Sequence, residues 1–596
     1  MIPVIVVAIY LVLIAAIGLV AFKKGKSDTE DFFLAGRTIG PMVFFFSIFA
    51  TNMTAFAILG SSGLAYRRGI GIYGLMASSS GFVIPLTIFF IGTRLWALGK
   101  RFGHQTQVQY FRDRWECDGI GTLIFALSAA MLVPYMIISI MGGGTVLEEI
   151  SKSGGDAALI PYWLGCAIVA VVVTVNVFFG GMRGTVWVNL FQTALFLCFG
   201  FVAVMVISHS LPKGFGAYFN DLLANPKTHS LLTREKMPME EFWSYTLIPL
   251  SSIMFPHMAI MCFSARKVTA FKRTVIIYPV AIMLLWLPCI FLGVLGVATL
   301  GKVPDPDGVL LQMLRQYSPA WLAGILGAGI ISAVMGSDAH QVLAMSTMFT
   351  KDIYVHYGGR EKYGEKGAVY FARVFIIVVT LVAYAVALYL KSKQGIFEIA
   401  IRFAFSGFAA MAPVMIAALF WKRSTKWGAC ASTIFVGVCL VVFAMLQGPA
   451  AVPPAAASGS KPVPMVKAPG ISSNTVVAAE GKSAEVGIST NAPADSKTLV
   501  VDPGSASTNS LLKTNVVASV PAASPIPPKS IIYALGEGTN AMVILSRAPN
   551  GDVRFLSGYM TVVPMVAGSA LLMILFSLLT QPPSQKTIQK YFGKNS

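Results

Sequence analysis

The chain contains few charged residues for its length. Asp, Glu, Lys and Arg make up 12% of its 596 residues, whereas hydrophobic residues make up 56%. A soluble chain of this length typically carries about twice that share of charge. The apolar residues occur instead in blocks long enough to cross a bilayer, separated by short polar loops. This composition excludes an ordinary soluble protein and predicts an all-α polytopic membrane protein in a lipid bilayer.

Cysteine and histidine are also scarce. The seven cysteines lie in or at the edge of apolar segments and imply no disulfide framework. The six histidines form no HExxH-type metal motif. The GxGxxG spelling at Gly69–Gly74 follows no strand, so no organic cofactor is predicted. The net charge of +19 comes from loop Lys and Arg concentrated on one side of the spans, so nucleic acid is not an expected partner.

Hydropathy predicts thirteen transmembrane helices. No Lys or Arg precedes the first span, and Lys23, Lys24 and Lys26 follow it, which predicts an outside N-terminus and a cytoplasmic C-terminus. The expected location is a bacterial inner (plasma) membrane. The predicted spans are 2–22, 40–65, 72–97, 119–142, 160–180, 184–208, 242–265, 274–300, 318–349, 368–390, 396–421, 427–447 and 557–580.

A long segment between spans twelve and thirteen breaks this pattern. Residues 448–530 are rich in Ala, Pro, Ser and Val and contain no aromatic residue, which predicts a disordered outer insert. Residues 531–556 contain β-prone runs, two of them joined by Ala548-Pro549-Asn550-Gly551, which predicts a small hairpin cap. The predicted organisation is a transmembrane core (1–447), the insert (448–530), the cap (531–556), and a last helix with a short tail (557–596).

Two spans carry polar residues or a proline near their middle. Span two contains Thr51-Asn52-Met53-Thr54, and span seven contains Pro256-His257. Proline removes a helical N–H and frees a carbonyl, and helix breaks at membrane depth expose backbone groups to ions and solutes. The two spans are five apart in order. This spacing is typical of an inverted five-helix repeat, spans 2–6 against spans 7–11, with a site between the halves.

Span nine supplies a third candidate element. At 100° per residue, Ala333, Gly336, Ser337 and His340 fall on one face of the helix. Small residues let another backbone approach, and a hydroxyl is an oxygen ligand for a small cation. Asp338 points about 100° away from Ser337 and is expected to face elsewhere. An acid inside a span is functional by default, but a structural pair with a Lys or Arg is an equal alternative.

Five blocks in order along the chain resemble the sodium:solute symporter family. The blocks are DFFLAGRTIGP (31–41), SIFATNMTAFAILGSSG (47–63), GGMRGTVWVNLFQ (180–192), SAVMGSDAHQVLAMSTMFTKDIY (332–354) and FSGFAAMAPVMIAALFWKRSTKWGA (405–429). The resemblance covers about residues 1–445 and the last span, and it leaves out the insert. It implies a LeuT-type fold with spans 2–6 and 7–11 as inverted repeats.

The resemblance also implies a sodium site between spans two and nine. Its ligands would be the backbone carbonyls of Ala50, Met53 and Ala333 and the hydroxyl of Ser337. The family's second hydroxyl falls on Gly336, which has none. Four oxygens therefore remain, unless water or another residue substitutes.

Two further departures from the family concern amides. Asn189 stands where several relatives have an Asp that assists cation binding, and Asn52 stands where some relatives have an Asp. Together with Gly336, Asn189 motivates an alternative in which sodium coupling is lost. In that alternative protons drive transport, with Asp338 as the proton carrier, or the chain is a facilitator.

The solute pathway is expected at the broken spans. Its candidates are Asn52, Thr54, Phe255, His257 and Ser406. The Phe-Pro-His sequence at 255–257 resembles the pantothenate and monocarboxylate branches, and a half-helix N-terminus there favours an anion. The alternative is that Thr51, Asn52 and Thr54 hydrogen-bond to neighbouring helices and that His257 is a packing residue.

Glu398 and Arg402 lie four residues apart at the start of span eleven. Their spacing predicts an i,i+4 ion pair with Arg402 reaching toward the interface. The alternative is that Arg402 guides an anionic solute inward.

These features predict a sodium-coupled secondary active symporter of a small organic solute, with a carboxylate-bearing solute favoured. No enzymatic centre is expected, because the spans lack a chain of buried Lys, Glu and His. A non-transporting sensor is a weaker alternative, since no output domain follows the last span. The solute's identity and the oligomeric state are left open.

Overall fold

Long apolar helices account for most of the chain, as the hydropathy pattern predicts. The computed structural model describes residues 2–24, 29–152, 158–391, 395–447, 531–535, 542–548, 551–556 and 558–593. In these residues the α-helices are α1 (Ile2–Lys24), α2 (Thr29–Leu34), α3 (Pro41–Asn52), α4 (Ser61–Arg68), α5 (Gly71–Thr87), α6 (Thr93–Phe102), α7 (Gln107–Trp115), α8 (Asp118–Ser151), α9 (Tyr162–Ser210), α10 (Phe215–Ala224), α11 (Met239–Tyr245), α12 (Ser251–Met254), α13 (Pro256–Ser264), α14 (Thr269–Thr299), α15 (Val309–Tyr317), α16 (Ala320–Met348), α17 (Gly359–Leu390), α18 (Ile396–Ile399), α19 (Ser406–Phe420), α20 (Lys426–Leu446), α21 (Val562–Leu579) and α22 (Gln585–Phe592).

Short irregular helical segments join several of these helices. Segments with π-helical geometry, in which one extra residue widens the turn, are Phe56–Gly60, Ile88–Gly92, Phe349–Tyr354 and Ala400–Phe405. Tighter 3-10 turns occur at Ala35–Arg37, His229–Leu231, Ile248–Leu250 and Pro306–Gly308.

The apolar helices define a mostly helical polytopic membrane protein. Within the described residues nine helices are long and apolar enough to cross a membrane, and the count is eleven if each of two bent helix pairs is one span. α9 has 49 residues and is interrupted at Gly181, whose φ is +51°. It contains predicted spans five and six, and it exceeds the roughly 20 residues that one crossing needs. The count of thirteen stays a prediction.

The spans differ in how deeply they lie in the protein. Most residues in the apolar parts of the span Ala320–Tyr354, which contains α16, and of the span Ile396–Phe420 are buried, whereas few are buried in Lys426–Leu446. α16 packs on both α8 and α9, and α19 packs on α20 and α21. The first two spans are therefore central, and α20 presents most of its surface outward, as a helix facing lipid does.

A small antiparallel sheet precedes α21. Its strands are β1 (Ile531–Leu535), β2 (Met542–Arg547), β3 (Val553–Phe555) and β4 (Tyr559–Met560), in the order β1-β2-β3-β4. β2 and β3 pair antiparallel, and the Ala548 N–H donates to the Asp552 carbonyl (2.8 Å), where the sequence predicts a hairpin. The sheet continues to Met560, past the predicted limit at residue 556, and α21 begins at Val562. The predicted disordered stretch, 448–530, lies outside the described residues.

The two ends of the helical bundle carry different structures. We call the sheet β1–β4 the cap sheet and the end of the bundle where it lies the cap end. α22 follows α21 at the opposite end, the tail end. There Asp113 of α7 binds Lys590 (Nζ–Oδ2, 2.5 Å) and Tyr591. Partial burial acts to raise the pKa of Asp113, but these two hydrogen bonds hold it below its usual value.

Candidate transport site between broken helices

Span two is broken where the sequence predicts it. α3 ends at Asn52, and the chain bends by 60° before it resumes at Phe56. The Met53 N–H donates to the carbonyls of Phe49 (3.0 Å) and Ala50 (3.2 Å), and the Thr54 hydroxyl accepts the N–H of Phe56 (3.1 Å). Within the described chain no hydrogen bond ends on the Met53 carbonyl. The break therefore leaves carbonyl oxygen available inside the bundle.

Span seven is broken at Phe255-Pro256. α12 ends at Met254, Phe255 is extended (φ −59°, ψ 125°), and Pro256 begins α13 after a bend of 51°. Proline suits this first helical position because its missing N–H would have had no helical partner. Gln107 donates to the carbonyl of Met254 (3.1 Å), which the break releases from the helix. The proline signal in the sequence thus located the second break.

An aromatic cluster lies against the second break. His257 stacks on Phe255 (ring centroids 5.1 Å apart) and approaches Tyr135 (5.7 Å), while Phe405 contacts both Tyr135 (5.1 Å) and Phe56 (4.8 Å). We call Phe56, Tyr135, Phe255, His257 and Phe405 the aromatic cluster. It joins residues of spans two, four, seven and eleven, so it lies where the sequence predicts a solute pathway.

Several polar atoms at these breaks are buried without a partner. Both ring nitrogens of His257 and the hydroxyl of Ser406 lack a hydrogen bond in the described structure, and each residue is 1% exposed. A buried polar atom without a partner is costly, so these atoms are candidates to bind a polar solute. Thr54 is also fully buried. The site is closed to solvent in this conformation.

Asn52 has a partner that the sequence does not reveal. Its Nδ2 donates to the hydroxyl of Tyr278 on α14 (2.7 Å). Asn52 was predicted either to line the solute pathway or to hydrogen-bond to a neighbouring helix. The hydrogen bond is present in this conformation. Tyr278 carries no motif that would have marked it.

Ser337 approaches another hydroxyl. Its Oγ lies 3.4 Å from Ser139 Oγ on α8 and donates to the carbonyl of Val334 (3.1 Å). One turn along α8, a Cβ on Gly142 would meet Ala55 of the first break and Val334 of α16. α8, the break in span two and α16 thus touch at one level. Ser139 adds a hydroxyl one turn from this level, and a lone serine in an apolar span gave no signal for it.

The face of α16 at Gly336 is covered by amides. A Cβ at this glycine would lie 3.0 Å from both Asn189 Oδ1 and Gln192 Oε1, two oxygens that lack a hydrogen bond in the described structure. Asn189 Nδ2 donates to the Gly336 carbonyl (3.1 Å) and lies 2.7 Å from His340 Nδ1. Asn189 therefore contacts α16 together with Gln192, which sequence reasoning missed, and its role in coupling stays a prediction.

Asp338 is fully buried on α16. Neither of its carboxylate oxygens has a hydrogen bond or ion pair within the described residues, so the predicted pairing with a Lys or Arg is absent there. Ala333, the remaining predicted ligand, lies four residues before Ser337 on the same helix and is buried.

The predicted ion pair between Glu398 and Arg402 does not form. Glu398 binds Arg67 (2.9 Å), and Arg402 binds Asp552, which follows β2 of the cap sheet. The prediction was wrong because it assumed α-helical geometry. The π-helical segment Ala400–Phe405 begins between the two residues, and its wider turn alters the angle between their side chains.

Two broken helices, buried oxygens beside the breaks and a closed aromatic cluster define a membrane transport protein rather than an enzyme. The model of the sodium:solute symporter family matches residues 32–437. The chain belongs to the sodium:solute symporter family.

The individual relatives have low sequence identity to this chain. The sodium/pantothenate symporter of Escherichia coli (strain K12) is 26% identical over 451 residues, which are 74% of this chain and 89% of that protein. The osmoregulated proline transporter OpuE of Bacillus subtilis (strain 168) is 25% identical over 456 residues, 74% of this chain and 88% of that protein. The fold is similar to that of a Na⁺-coupled sialic acid symporter in its substrate-bound outward-open state, with a TM-score of 0.61 and 15% identity over 74% of this chain and 91% of that one.

Proposed function

We propose that this chain is a sodium-coupled secondary active symporter of a small organic solute in a bacterial plasma membrane. The observation that supports the proposal is the approach of Ser337 to Ser139 (3.4 Å), because it brings two hydroxyl oxygens together on helices that pack against the break in span two. Oxygen-only ligand sets suit hard cations such as sodium. Family membership supports the same coupling ion.

In this proposal the ligands are the carbonyls of Ala50, Met53 and Ala333 and the hydroxyl of Ser337. Ser139 is the residue that substitutes for the hydroxyl missing at Gly336. The four oxygens expected from the resemblance thereby become five. Residue Gly336 itself is turned toward Asn189 and Gln192 and is not part of the set.

The topology belongs to the same proposal. The chain has thirteen spans, with spans 2–6 and 7–11 as inverted repeats that rock around the site. The N-terminus and the cap end are outside, and the C-terminus is cytoplasmic, as the distribution of Lys and Arg favours. The solute occupies the space between Thr54, the aromatic cluster and Ser406. A carboxylate is the favoured polar group because the N-terminus of α13 points into this region.

The test is the thermal stability of the purified protein in sodium chloride against choline chloride at equal ionic strength. An ion that binds only the folded state raises the free energy of unfolding by about 2.7 kcal/mol at 100-fold saturation. Ser337→Ala removes one oxygen ligand and is expected to weaken sodium binding about ten- to hundredfold, since a bond to a charged group contributes about 1.5–3 kcal/mol.

Ser346→Ala is the matched control for that variant. Ser346 is also buried on α16, but its hydroxyl donates to the carbonyl of Ala372 on another helix (3.0 Å). Its removal is expected to lower stability equally in both salts. Sodium-specific stabilisation that persists unchanged in Ser337→Ala would refute the assigned site.

A proton-coupled symporter or a facilitator is the second candidate. It is favoured by the carboxylate of Asp338, which is buried on α16 and has no partner in the described residues. If protons drive transport through this group, Asp338→Asn abolishes the pH dependence of solute uptake into proteoliposomes. Uptake with an unaltered pH profile would exclude Asp338 as the carrier.

A further inference from the structure

The strand β3 connects the cap sheet to two helices of the transport core. Asp552, which directly precedes β3, binds Arg402 in the π-helical segment of span eleven. Arg554, two residues later, binds Glu241 of α11 (3.2 Å), whose other oxygen binds Arg68 (2.6 Å). Side chains two residues apart on a strand lie on one face. One face of the cap sheet, at β3, therefore contacts the cap-end parts of both span seven and span eleven.

Both of these core elements lead directly to the candidate site. Arg402 belongs to the same π-helical segment as Phe405 of the aromatic cluster, and Ser406 follows that segment. α11 leads through α12 to Phe255. A second strand reinforces the link, because the Met560 N–H of β4 donates to Ser244 of α11 (3.0 Å). β3 therefore joins two elements that both continue into the aromatic cluster.

The burial of the Arg402–Asp552 pair determines what can separate it. The Arg402 side chain is 5% exposed, and that of Asp552 is 22% exposed. Removing the carboxylate partner of a buried guanidinium is strongly unfavourable. A second carboxylate can replace the first, because the guanidinium binds any carboxylate through the same N–H groups. A neutral solute cannot compensate the charge in this way.

We propose that Asp552, held by the cap sheet, binds Arg402 and thereby closes the cap-end entrance between spans seven and eleven, which we call the mouth. A carboxylate-bearing solute takes the place of the Asp552 carboxylate on Arg402 as it enters. Because of this exchange, Arg402 selects for anionic solutes. The cap sheet, which carries Asp552, is then the gate of the mouth. This inference rests on the proposed symport function for its solute class. The closure of the mouth by the ion pair does not depend on that function.

The first experiment measures closure without any solute. Ser406→Cys is introduced as a reporter below Arg402 in the full chain, reconstituted in nanodiscs, and labelled with a membrane-impermeant thiol reagent. Labelling of the chain without the reporter is subtracted. Asp552→Asn is expected to raise the labelling rate about tenfold, as the loss of one charged contact allows. The charge-reversed pair Asp552→Arg with Arg402→Asp is expected to restore slow labelling.

Asp221→Asn is the matched control for loss of a carboxylate. Asp221 pairs with Lys213 (3.3 Å), and both side chains are more than half exposed, so the variant changes charge without touching the mouth. It is expected to leave the labelling rate unchanged. Asp552→Glu keeps the charge and is expected to label slowly. Slow labelling of this variant would show that fast labelling of Asp552→Asn does not result from misfolding. A labelling rate in Asp552→Asn equal to that of the parent overturns the proposal.

The second experiment measures exchange by thermal stabilisation in sodium chloride, with two pairs of probes. Pantothenate is compared with panthenol, which has an alcohol in place of the carboxylate, and lactate is compared with lactamide. The half-saturating concentration of at least one carboxylate is expected to fall about tenfold in Asp552→Asn, because a competitor is removed, and to rise about tenfold in Arg402→Gln. The uncharged probes are expected to respond to neither variant.

Carboxylates that bind equally in all three proteins, or bind in none of them, overturn the exchange. The two failures are distinguishable. Sodium-driven uptake of an uncharged solute with no carboxylate effect would leave the symport function standing without this inference. Fast labelling of Asp552→Asn in a protein that sodium does not stabilise would leave the gate standing without the proposed symport function.

Discussion

At the scale of single residues, Gly336 shows what a resemblance can and cannot supply. The family pattern identifies the position as one that normally carries a hydroxyl, and it suggests a weakened sodium site. In the structure this position faces Asn189 and Gln192, whose amide oxygens would lie 3.0 Å from any Cβ there. The hydroxyl that approaches Ser337 belongs to Ser139, on another helix. One sequence does not contain this information, because it depends on how two helices pack.

Asp307 is a residue whose charge makes stability depend on pH. It lies in the 3-10 turn between α14 and α15, fully enclosed, and its Oδ2 accepts the N–H of Ile396 at the start of α18 (2.9 Å). Burial, and then the charge of neighbouring Asp305, raise the pKa of Asp307 to about 7. The folded state therefore retains a proton between pH 3.8 and about 7 that the unfolded state has lost.

Stability is consequently expected to fall as pH rises through this window, with the full loss present above about pH 7. Asp307→Asn carries no charge at any pH and keeps an oxygen for Ile396. We expect it to flatten the fall and to raise the melting temperature above pH 7, as measured by thermal unfolding across pH. Burial also raises the pKa of Asp305, so a smaller slope remains. An unchanged pH profile in Asp307→Asn, matching that of Asp221→Asn, would contradict this account.

At the scale of elements, the two breaks could be predicted and the π-helical segments could not. Polar residues and proline within an apolar span interrupt the helix, so the sequence itself shows where the breaks lie. A π-helical segment needs one extra residue in a turn and has no distinctive composition. The sequence therefore did not predict the segment Ala400–Phe405, and it did not predict the ion-pair partners of Glu398 and Arg402.

The break in span two depends on one hydroxyl for its geometry. The Thr54 Oγ1 accepts the N–H of Phe56, as the side chain of a helix-capping residue does. Thr54→Val keeps the shape of the side chain but leaves this buried N–H without a partner. We expect a loss of about 0.5–2 kcal/mol in the free energy of unfolding, measured by thermal or denaturant unfolding.

Thr54→Ser keeps the acceptor and is the matched control for this prediction. It is expected to lose about 0.8 kcal/mol, the cost of one buried methyl group, and to remain more stable than Thr54→Val. Equal losses in the two variants would show that packing of the methyl group, rather than the bond to Phe56, stabilises the break.

At the scale of the whole molecule, composition identified the class of protein, and the ordered blocks identified the family. Contacts between residues that are far apart in the chain could not be predicted from the sequence. Arg402 and Asp552 are 150 residues apart, and the segment that carries Asp552 lies outside the family match. Such a contact follows from the packed structure and from no local pattern. The attachment of the cap sheet to the core is therefore a finding of the structure alone.

This attachment leads to a prediction about the long insert. The helical core and the cap sheet belong to one compact unit, made of residues 1–458 and 527–596. The composition of the intervening residues predicts that they bury no core of their own. Deleting residues 459–526 is therefore expected to keep the sodium-dependent stabilisation and the slow labelling of the Ser406→Cys reporter. Stability is expected to rise by about 1–2 kcal/mol at most, since a shorter loop costs less entropy to close.

A second deletion that extends through residue 556 separates the insert from the cap sheet. It removes Asp552 and Arg554 and with them the links of β3 to Arg402 and Glu241. This longer deletion is expected to accelerate labelling of the reporter as Asp552→Asn does, whereas the shorter one is not. If both deletions accelerate labelling equally, closure of the mouth depends on the insert. The cap sheet would then hold the insert in place, and the Asp552–Arg402 pair would not itself close the mouth.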